Sequence, residues 1–252
     1  MNEIVIAFQG GLAATFASLI ASFSGGGLSL VLFPILLLIT PYSYVSLLAV
    51  AKVSATLMTI TSTRIHALKN KLDYKLILHL ALFQILGTAL GTYFLQYKFN
   101  ESLFKTLLAW TIVLTASYLL LSKKIGLEQA IKREITRKVY VEAAIVCFLI
   151  SILNGLFGGT GIFITIYLLV ALKMSFIESM KLVMPSCGIV NILQSIYLLF
   201  SEWVEWKLVV CVILGSIVGS FFGTKLQYLK GNLWVKRAAV IVMYAIGIRT
   251  LM

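Results

Sequence analysis

Two glycine clusters have the residue types and the setting from which a binding site could be built. One reads SGGG at residues 24–27 and the other GGTG at residues 158–161, and each interrupts a strongly apolar run. Glycine breaks helices and lets another group approach the backbone closely. A break at membrane depth exposes backbone N–H groups, and the positive N-terminus of the following helix attracts an anion. The predicted backbone donors are Gly25, Gly26, Gly27, Gly158, Gly159, Thr160 and Gly161.

An alternative explanation for glycines in such segments is close packing of one helix on another. This explanation suits the spaced pairs Gly87-xxx-Gly91 and Gly215-xxx-Gly219-xxx-Gly223, which recur at helical intervals. It is the less favoured explanation for the two clusters, each of which lies inside an otherwise strongly apolar run. We therefore predict packing for the spaced glycines and binding for the clusters.

Lys52 is a cation deep inside an apolar segment. It lies nine residues into a segment that starts near Tyr44, with no acidic residue within two turns. An ionised side chain at membrane depth is costly, which predicts a functional role with a bound anion as its partner. Snorkelling to the membrane surface is the alternative. Asn191 and Gln194 could complete a polar lining, or they could form hydrogen bonds between helices instead.

The composition places these residues in a membrane. The chain has 252 residues, of which 60% are hydrophobic and 12% charged, and its mean hydropathy is +1.01. A soluble domain has about a quarter charged residues. Between Glu3 and Lys52, 48 consecutive residues carry no Asp, Glu, Lys or Arg, whereas one crossing needs about 20 residues. We expect a multi-pass integral membrane protein whose first apolar segment is not a cleaved signal.

The two halves of the chain match each other at an offset of 132 residues. The matching residues are glycines, polar residues and loop charges: Gly26/Gly158, Gly27/Gly159, Ser43/Ser175, Ser54/Ser186, Lys75/Lys207, Gly87/Gly219, Gly91/Gly223 and Thr92/Thr224. Such matches indicate an internal duplication. We therefore divide the chain into an N-terminal transmembrane repeat at 1–121, a linker at 122–139 and a C-terminal transmembrane repeat at 140–252.

Each half contains five apolar segments, of which the second is too short to cross a bilayer. The segments run over 4–23, 28–39, 44–63, 76–97 and 103–121, and over 140–156, 160–172, 177–200, 208–228 and 233–252. About 12 helical residues reach about 18 Å, whereas the hydrocarbon core is about 30 Å thick. The predicted fold is an all-α integral membrane protein with two homologous, inverted repeats. Each repeat has a glycine-broken short helix pair, either tilted or re-entrant, and three transmembrane helices.

The distribution of Lys and Arg predicts the orientation of the chain. In the inverted arrangement, 16 of the 21 Lys and Arg residues share one side, in the segments 64–75, 123–138, 173–181 and 225–237. The opposite side holds only Lys98, Lys105, Lys207 and Arg249. Because cytoplasmic loops are rich in Lys and Arg, we expect the 123–138 linker in the cytoplasm and both termini outside.

Several classes of function are disfavoured. All nine acidic residues fall at or near segment ends, which argues against a cation carrier built on carboxylates. The three cysteines lie in apolar stretches without metal-ligand spacing, and no hydrolase, nucleotide or haem motif is present, so we expect no metal and no cofactor. The net charge of +12 is spread between apolar segments and does not form one basic face, which disfavours nucleic acid as a partner.

The two clusters and their surroundings resemble a known family. They read SGGGLSLVLFPILLL at 24–38 and NGLFGGTGIFITIYLL at 154–169. With the duplicated halves, the basic central loop and a lysine in the second helix of the first half, the whole chain resembles the sulfite exporter TauE/SafE family of membrane permeases. The resemblance implies a cell-membrane transporter, not an enzyme, for sulfite, sulfonates and related oxyanions, generally moved outward.

Other functions stay open on the residues alone. They are a membrane-embedded enzyme or redox protein, a non-transporting membrane subunit, and a carrier of another small anion such as a carboxylate. The expected partners are a small anion and membrane lipid, and the oligomeric state is open, with a homodimer among the alternatives.

Overall fold

The computed structural model describes residues 3–69, 71–96, 136–201 and 204–251, together with residues 110, 113, 116, 117, 120, 121, 126 and 127. The regular structure in this described part is helical, without strands. Its helices are α1 (Glu3–Ser24), α2 (Leu28–Ile39), α3 (Tyr44–Lys69), α4 (Tyr74–Gln96), α5 (Arg137–Phe157), α6 (Gly161–Ala171), α7 (Phe176–Ser201), α8 (Trp206–Lys230) and α9 (Asn232–Leu251). Most of the predicted segment 103–121 and of the linker 122–139 lies outside the described residues.

Six of these helices, α1, α3, α4, α5, α7 and α8, are long and apolar enough to cross a membrane. The prediction of an all-α integral membrane protein is confirmed. Helices α2 and α6 have only 12 and 11 residues, too few for a full crossing. Helix α3 is the most enclosed of the six, with 78% of its most apolar window buried inside the protein. It therefore forms the centre of the fold.

The first short helix returns towards the side on which α1 begins. The starts of α1 and α8 lie together, because Glu3 and Lys207 form an ion pair at 2.7 Å. Tyr42, in the loop after α2, lies within electrostatic range of the same two residues. Helices α1 and α2 therefore form a hairpin that enters and leaves at one end of the molecule.

The second short helix returns in the same way at the opposite end. Leu172, directly after α6, belongs to the same apolar cluster as Val139 and Leu76, near the starts of α5 and α4. Helix α3 has 26 residues, about 39 Å, and leads from the loop containing Tyr42 to the start of α4. The two hairpins consequently open at opposite ends of α3.

Polar contacts between the halves occur in pairs separated by the same offset of 132 residues. Gln84 donates to Ser186 at 3.0 Å, and the residues 132 positions away, Ser216 and Ser54, also hydrogen-bond to each other. Likewise Gln194 donates to Thr92 at 3.1 Å, while Thr224 donates to Ser62 at 2.8 Å. Helix α3 thus contacts α8 in the same way as α7, the counterpart of α3 in the second half, contacts α4.

The spaced glycines bring helix backbones into close contact, as their spacing predicts. A Cβ added at Gly91 in α4 would lie 2.0 Å from the carbonyl oxygen of Ile152 in α5. A Cβ at Gly219 in α8 would lie 2.1 Å from the carbonyl oxygen of Thr15 in α1. Since a backbone atom cannot move aside as a side-chain tip can, these positions exclude larger residues.

Replacing Gly91 with alanine should destabilise the protein measurably, because α4 and α5 must separate to admit the methyl group. We expect the unfolding temperature in detergent, measured by intrinsic fluorescence, to fall by about 5 °C or more. Gly10→Ala is the matched control, because its new methyl group would meet mainly the tip of the flexible Leu208 side chain. Equal melting temperatures for the two variants would contradict the close-packing interpretation.

Candidate functional site

Both glycine clusters interrupt the helices where the sequence predicts. Between α1 and α2, Gly25, Gly26 and Gly27 have φ values of +113°, +104° and +84°. Between α5 and α6, Gly158 and Gly159 have φ values of +75° and +74°. Residues with a Cβ rarely adopt this backbone region. The two breaks therefore depend on glycine for their conformation.

The two breaks meet inside the molecule. A Cβ at Gly26 would lie 3.6 Å from the backbone nitrogen of Ile162, and one at Gly161 would lie 4.0 Å from that of Gly27. The N-termini of α2 and α6 thus lie side by side. Neither N-cap residue, Gly27 or Thr160, makes a side-chain capping bond. Helix N-termini leave backbone N–H groups without an intrahelical acceptor, so this junction concentrates hydrogen-bond donors and partial positive charge.

Lys52 extends from α3 to the second break. Its side chain is completely buried, and its Nζ donates to Oδ1 of Asn154 at 3.1 Å and to the carbonyl oxygen of Asn154 at 3.4 Å. Its Cε would lie 3.1 Å from a Cβ placed on Gly158. Asn154 is neutral, and in the described part of the chain no carboxylate forms an ion pair with Lys52. The amine is therefore held in place without charge compensation from those residues.

A small cavity of about 30 Å³ lies at the junction of the breaks. Its polar lining includes the side chains of Ser29, Asn154 and Asn191. The Ser29 hydroxyl is buried and has no hydrogen-bond partner among the described residues. A cavity of this volume holds about one water molecule. The cavity thus has hydrogen-bond donors within a partly apolar lining, and it must widen to admit a larger anion.

The family-level comparison agrees with this geometry. The model of the sulfite exporter TauE/SafE family matches residues 11–250. The chain belongs to this family. Comparisons with curated proteins and with solved structures gave no match.

Membership makes the protein a membrane transporter, and the TauE/SafE family is one of carriers for sulfite or related anions. The donors described above suit this chemistry, because an anion needs N–H and O–H groups and gains from a nearby amine. No group of three or more His, Cys, Asp or Glu side chains that could hold a metal ion occurs among the described residues.

The structure brings most of the predicted site residues of this TauE/SafE chain to one place. The cavity is lined by Gly26, Gly27, Gly159, Gly161 and Asn191, and Gly158 contacts Lys52. Thr160 is buried at the start of α6. Gly25 lies to one side, where its carbonyl oxygen accepts a hydrogen bond from Thr165 at 3.0 Å.

Gln194 lies apart from the other predicted residues. Its Nε2 donates to Thr92, and it lines a separate, mainly apolar cavity of about 350 Å³ with side chains of α4 and α7. Its placement fits the alternative considered for it, a hydrogen bond between helices. Asn191 lies one turn before it on α7 and reaches the central cavity instead.

Asn154 and Ser29 are candidate site residues that the sequence analysis did not single out. Asn154 lies one turn before Gly158 in the quoted motif, and Ser29 follows the first cluster by two residues. Their positions beside the two glycine breaks were the feature of the sequence from which they could have been identified as site residues. The partner of Asn154, however, comes from another part of the chain, because Lys52 is 102 residues away.

Proposed function

We propose that this TauE/SafE protein carries a small sulfur oxyanion, such as sulfite or a sulfonate, by alternating access. The observation that carries the proposal is the meeting of two helix N-termini at a buried cavity next to Lys52. The substrate oxygens would accept hydrogen bonds from the backbone of both glycine breaks and from Ser29 and Asn191. Lys52 would balance the negative charge, with Asn154 holding its amine in position.

Anion selectivity follows from the composition of this cavity. Its described lining contains no Asp or Glu side chain, so a cation would find amide, hydroxyl and carbonyl oxygens but no opposite charge. A buried ion without such compensation is strongly disfavoured. An anion, by contrast, would find charge compensation in this cavity, because Lys52 and the two helix N-termini supply positive potential.

Alternating access is supported by the size of the cavity and by the directions of the two hairpins. A pocket of about 30 Å³ corresponds to a closed state, because a multi-atom anion needs more room than one water molecule. The α1–α2 and α5–α6 hairpins open at opposite ends of α3. Movement of one hairpin would expose the cavity to one side of the membrane, and movement of the other would expose it to the opposite side.

The opposite directions of the α1–α2 and α5–α6 hairpins also support an inverted-repeat topology. We place the linker 122–139 in the cytoplasm and both termini outside. Described cations from several segments gather at one end of the bundle, since Lys69 lies over the ring of Tyr228 at 4.2 Å and Lys75 lies over Tyr140 at 5.7 Å. Positive charge concentrated at one end is typical of a cytoplasmic face.

Flux measurements on the purified protein in proteoliposomes test this function. We expect labelled sulfite to enter protein-containing vesicles faster than protein-free vesicles, with unlabelled sulfite and sulfoacetate as competitors. Potassium and a neutral solute are the control substrates. In parallel, a binding anion should raise the unfolding temperature with its concentration, which ranks sulfite, thiosulfate, sulfoacetate, sulfate and acetate. Folded protein that neither moves nor binds any of these anions would contradict the proposal.

A further inference from the structure

A second basic site lies at the end of the molecule where α4 and α5 begin. A cavity of about 480 Å³ there is lined by Lys75, His79, Arg137 and Tyr140. Lys75 and Arg137 lie in the first turns of their helices and are exposed. Arg137 is 17 residues before Asn154 on α5, about 25 Å along the helix. This cavity is therefore separate from the central one.

The walls of this cavity are held in place by contacts between the two helices. His79 Nε2 donates to the carbonyl oxygen of Tyr140 at 2.8 Å, and the two rings meet edge to face at 4.8 Å. The Lys75 ammonium lies 5.7 Å from the centre of the Tyr140 ring. Because α4 and α5 are parallel, both direct their positive N-terminal ends to this cavity.

The opposite end of the molecule offers an internal comparison. The position 132 residues after Lys75 is Lys207, and Lys207 is neutralised by Glu3 at 2.7 Å. Lys75 and Arg137 have no such ion pair among the described residues. The nearby carboxylate of Asp73 accepts the backbone N–H of Leu76 at 3.1 Å, and Glu142 is half-buried one turn along α5 from Lys138. Within the described part of the chain, these two cations thus have no carboxylate partner and can bind an external anion.

Apolar side chains continue from this basic cavity towards the membrane interior. On α4, Leu78, Leu82 and Leu86 are exposed at successive turns, and on α5 the same spacing is shown by Val141, Ile145 and Leu149. These two rows lie on neighbouring parallel helices, and both begin next to the basic cavity. An anionic headgroup carrying acyl chains matches both parts of this surface, whereas a free inorganic anion matches only one.

We propose that this site binds an anionic phospholipid, with its phosphate between Lys75 and Arg137 and its acyl chains along the exposed rows of α4 and α5. The two cations neutralise the phosphate, and the two helix N-termini add to the attraction. The apolar rows give the lipid an affinity that its headgroup alone lacks. Bound lipid would hold together the ends of α4 and α5 nearest the cavity.

Lipid titration of the full-length protein in a neutral detergent tests the site. We expect phosphatidylglycerol to bind, by native mass spectrometry and by a rise in unfolding temperature, at least tenfold more tightly than phosphatidylcholine. The double variant Lys75→Gln/Arg137→Gln should bind phosphatidylglycerol about tenfold more weakly. Lys225→Gln/Lys230→Gln is the matched control, because it removes the same charge from the C-terminal part of α8.

Two results would overturn the proposal. One is equal binding of phosphatidylglycerol by Lys75→Gln/Arg137→Gln and by the unchanged protein. The other is binding of inorganic phosphate or glycerol phosphate as tight as that of the intact lipid, which would indicate a site for soluble anions. Since the central cavity is unchanged in the double variant, its folding is verified independently by the shift of unfolding temperature that sulfite or the best-binding anion produces.

Discussion

Lys52→Met is expected to impair anion transport strongly while the protein still folds. Methionine is the residue 132 positions further on, at Met184, which is buried and lines the central cavity. The substitution keeps an unbranched side chain of similar size and removes the amine. Because a hydrogen bond to a charged group contributes about 1.5–3 kcal/mol, we expect the transport efficiency, kcat/KM, to fall between about tenfold and about 150-fold.

The measurement is sulfite flux into proteoliposomes, combined with the unfolding temperature with and without sulfite. Lys225→Met is the control, because its side chain is exposed and lies over the Phe221 ring. That variant should transport at the rate of the unchanged protein. Normal flux and normal anion binding by Lys52→Met would show that the amine takes no part in substrate binding.

Gly158→Ala is expected to impair both transport and stability. At φ +75° an alanine is strained by about 1 kcal/mol or more. Its Cβ would also lie 2.9 Å from the Cβ of Ser29 and 3.1 Å from the Cε of Lys52. Since the Ser29 Cβ is fixed close to the α2 backbone, the Lys52 amine or α2 itself must shift. We expect the flux to fall at least tenfold.

Gly231→Ala is the control that separates the effect of backbone strain from the effect of the contact between Gly158 and Lys52. Gly231 has nearly the same φ, +77°, but no atom lies within 4 Å of a Cβ placed on it. This variant should lose only the stability that corresponds to backbone strain and should keep its flux. If Gly158→Ala and Gly231→Ala have the same flux and the same unfolding temperature, the contact between Gly158 and Lys52 has no role in transport.

The helix breaks were predictable from the sequence because their cause is local. Clusters of three glycines in an apolar run permit a positive φ and favour a broken helix, although the adjacent pair Gly10 and Gly11 remains helical within α1. The structure accordingly has α2 starting at Leu28 and α6 starting at Gly161. The all-α membrane fold was predictable for a similar reason, since hydropathy and segment length determine which helices can cross.

The pairing of side chains within the site was not predictable in this way. The Lys52–Asn154 contact joins residues 102 positions apart, so it depends on how α3 packs against α5. Gln194 shows the same limit, because a rotation of α7 by less than one turn decides whether Asn191 or Gln194 reaches the cavity. Such rotations are set by the packing of many side chains and not by the local sequence.

The contrast between Lys52 and Met184 has an evolutionary consequence. Both positions lie at the junction of the two halves, so a lysine at each would bring two ammonium groups close together. Two like charges in a low-dielectric interior repel each other and would destabilise the folded protein. One lysine therefore supplies the positive charge without this repulsion. Divergence of the copies thus allows a single charge to serve a pocket that both share.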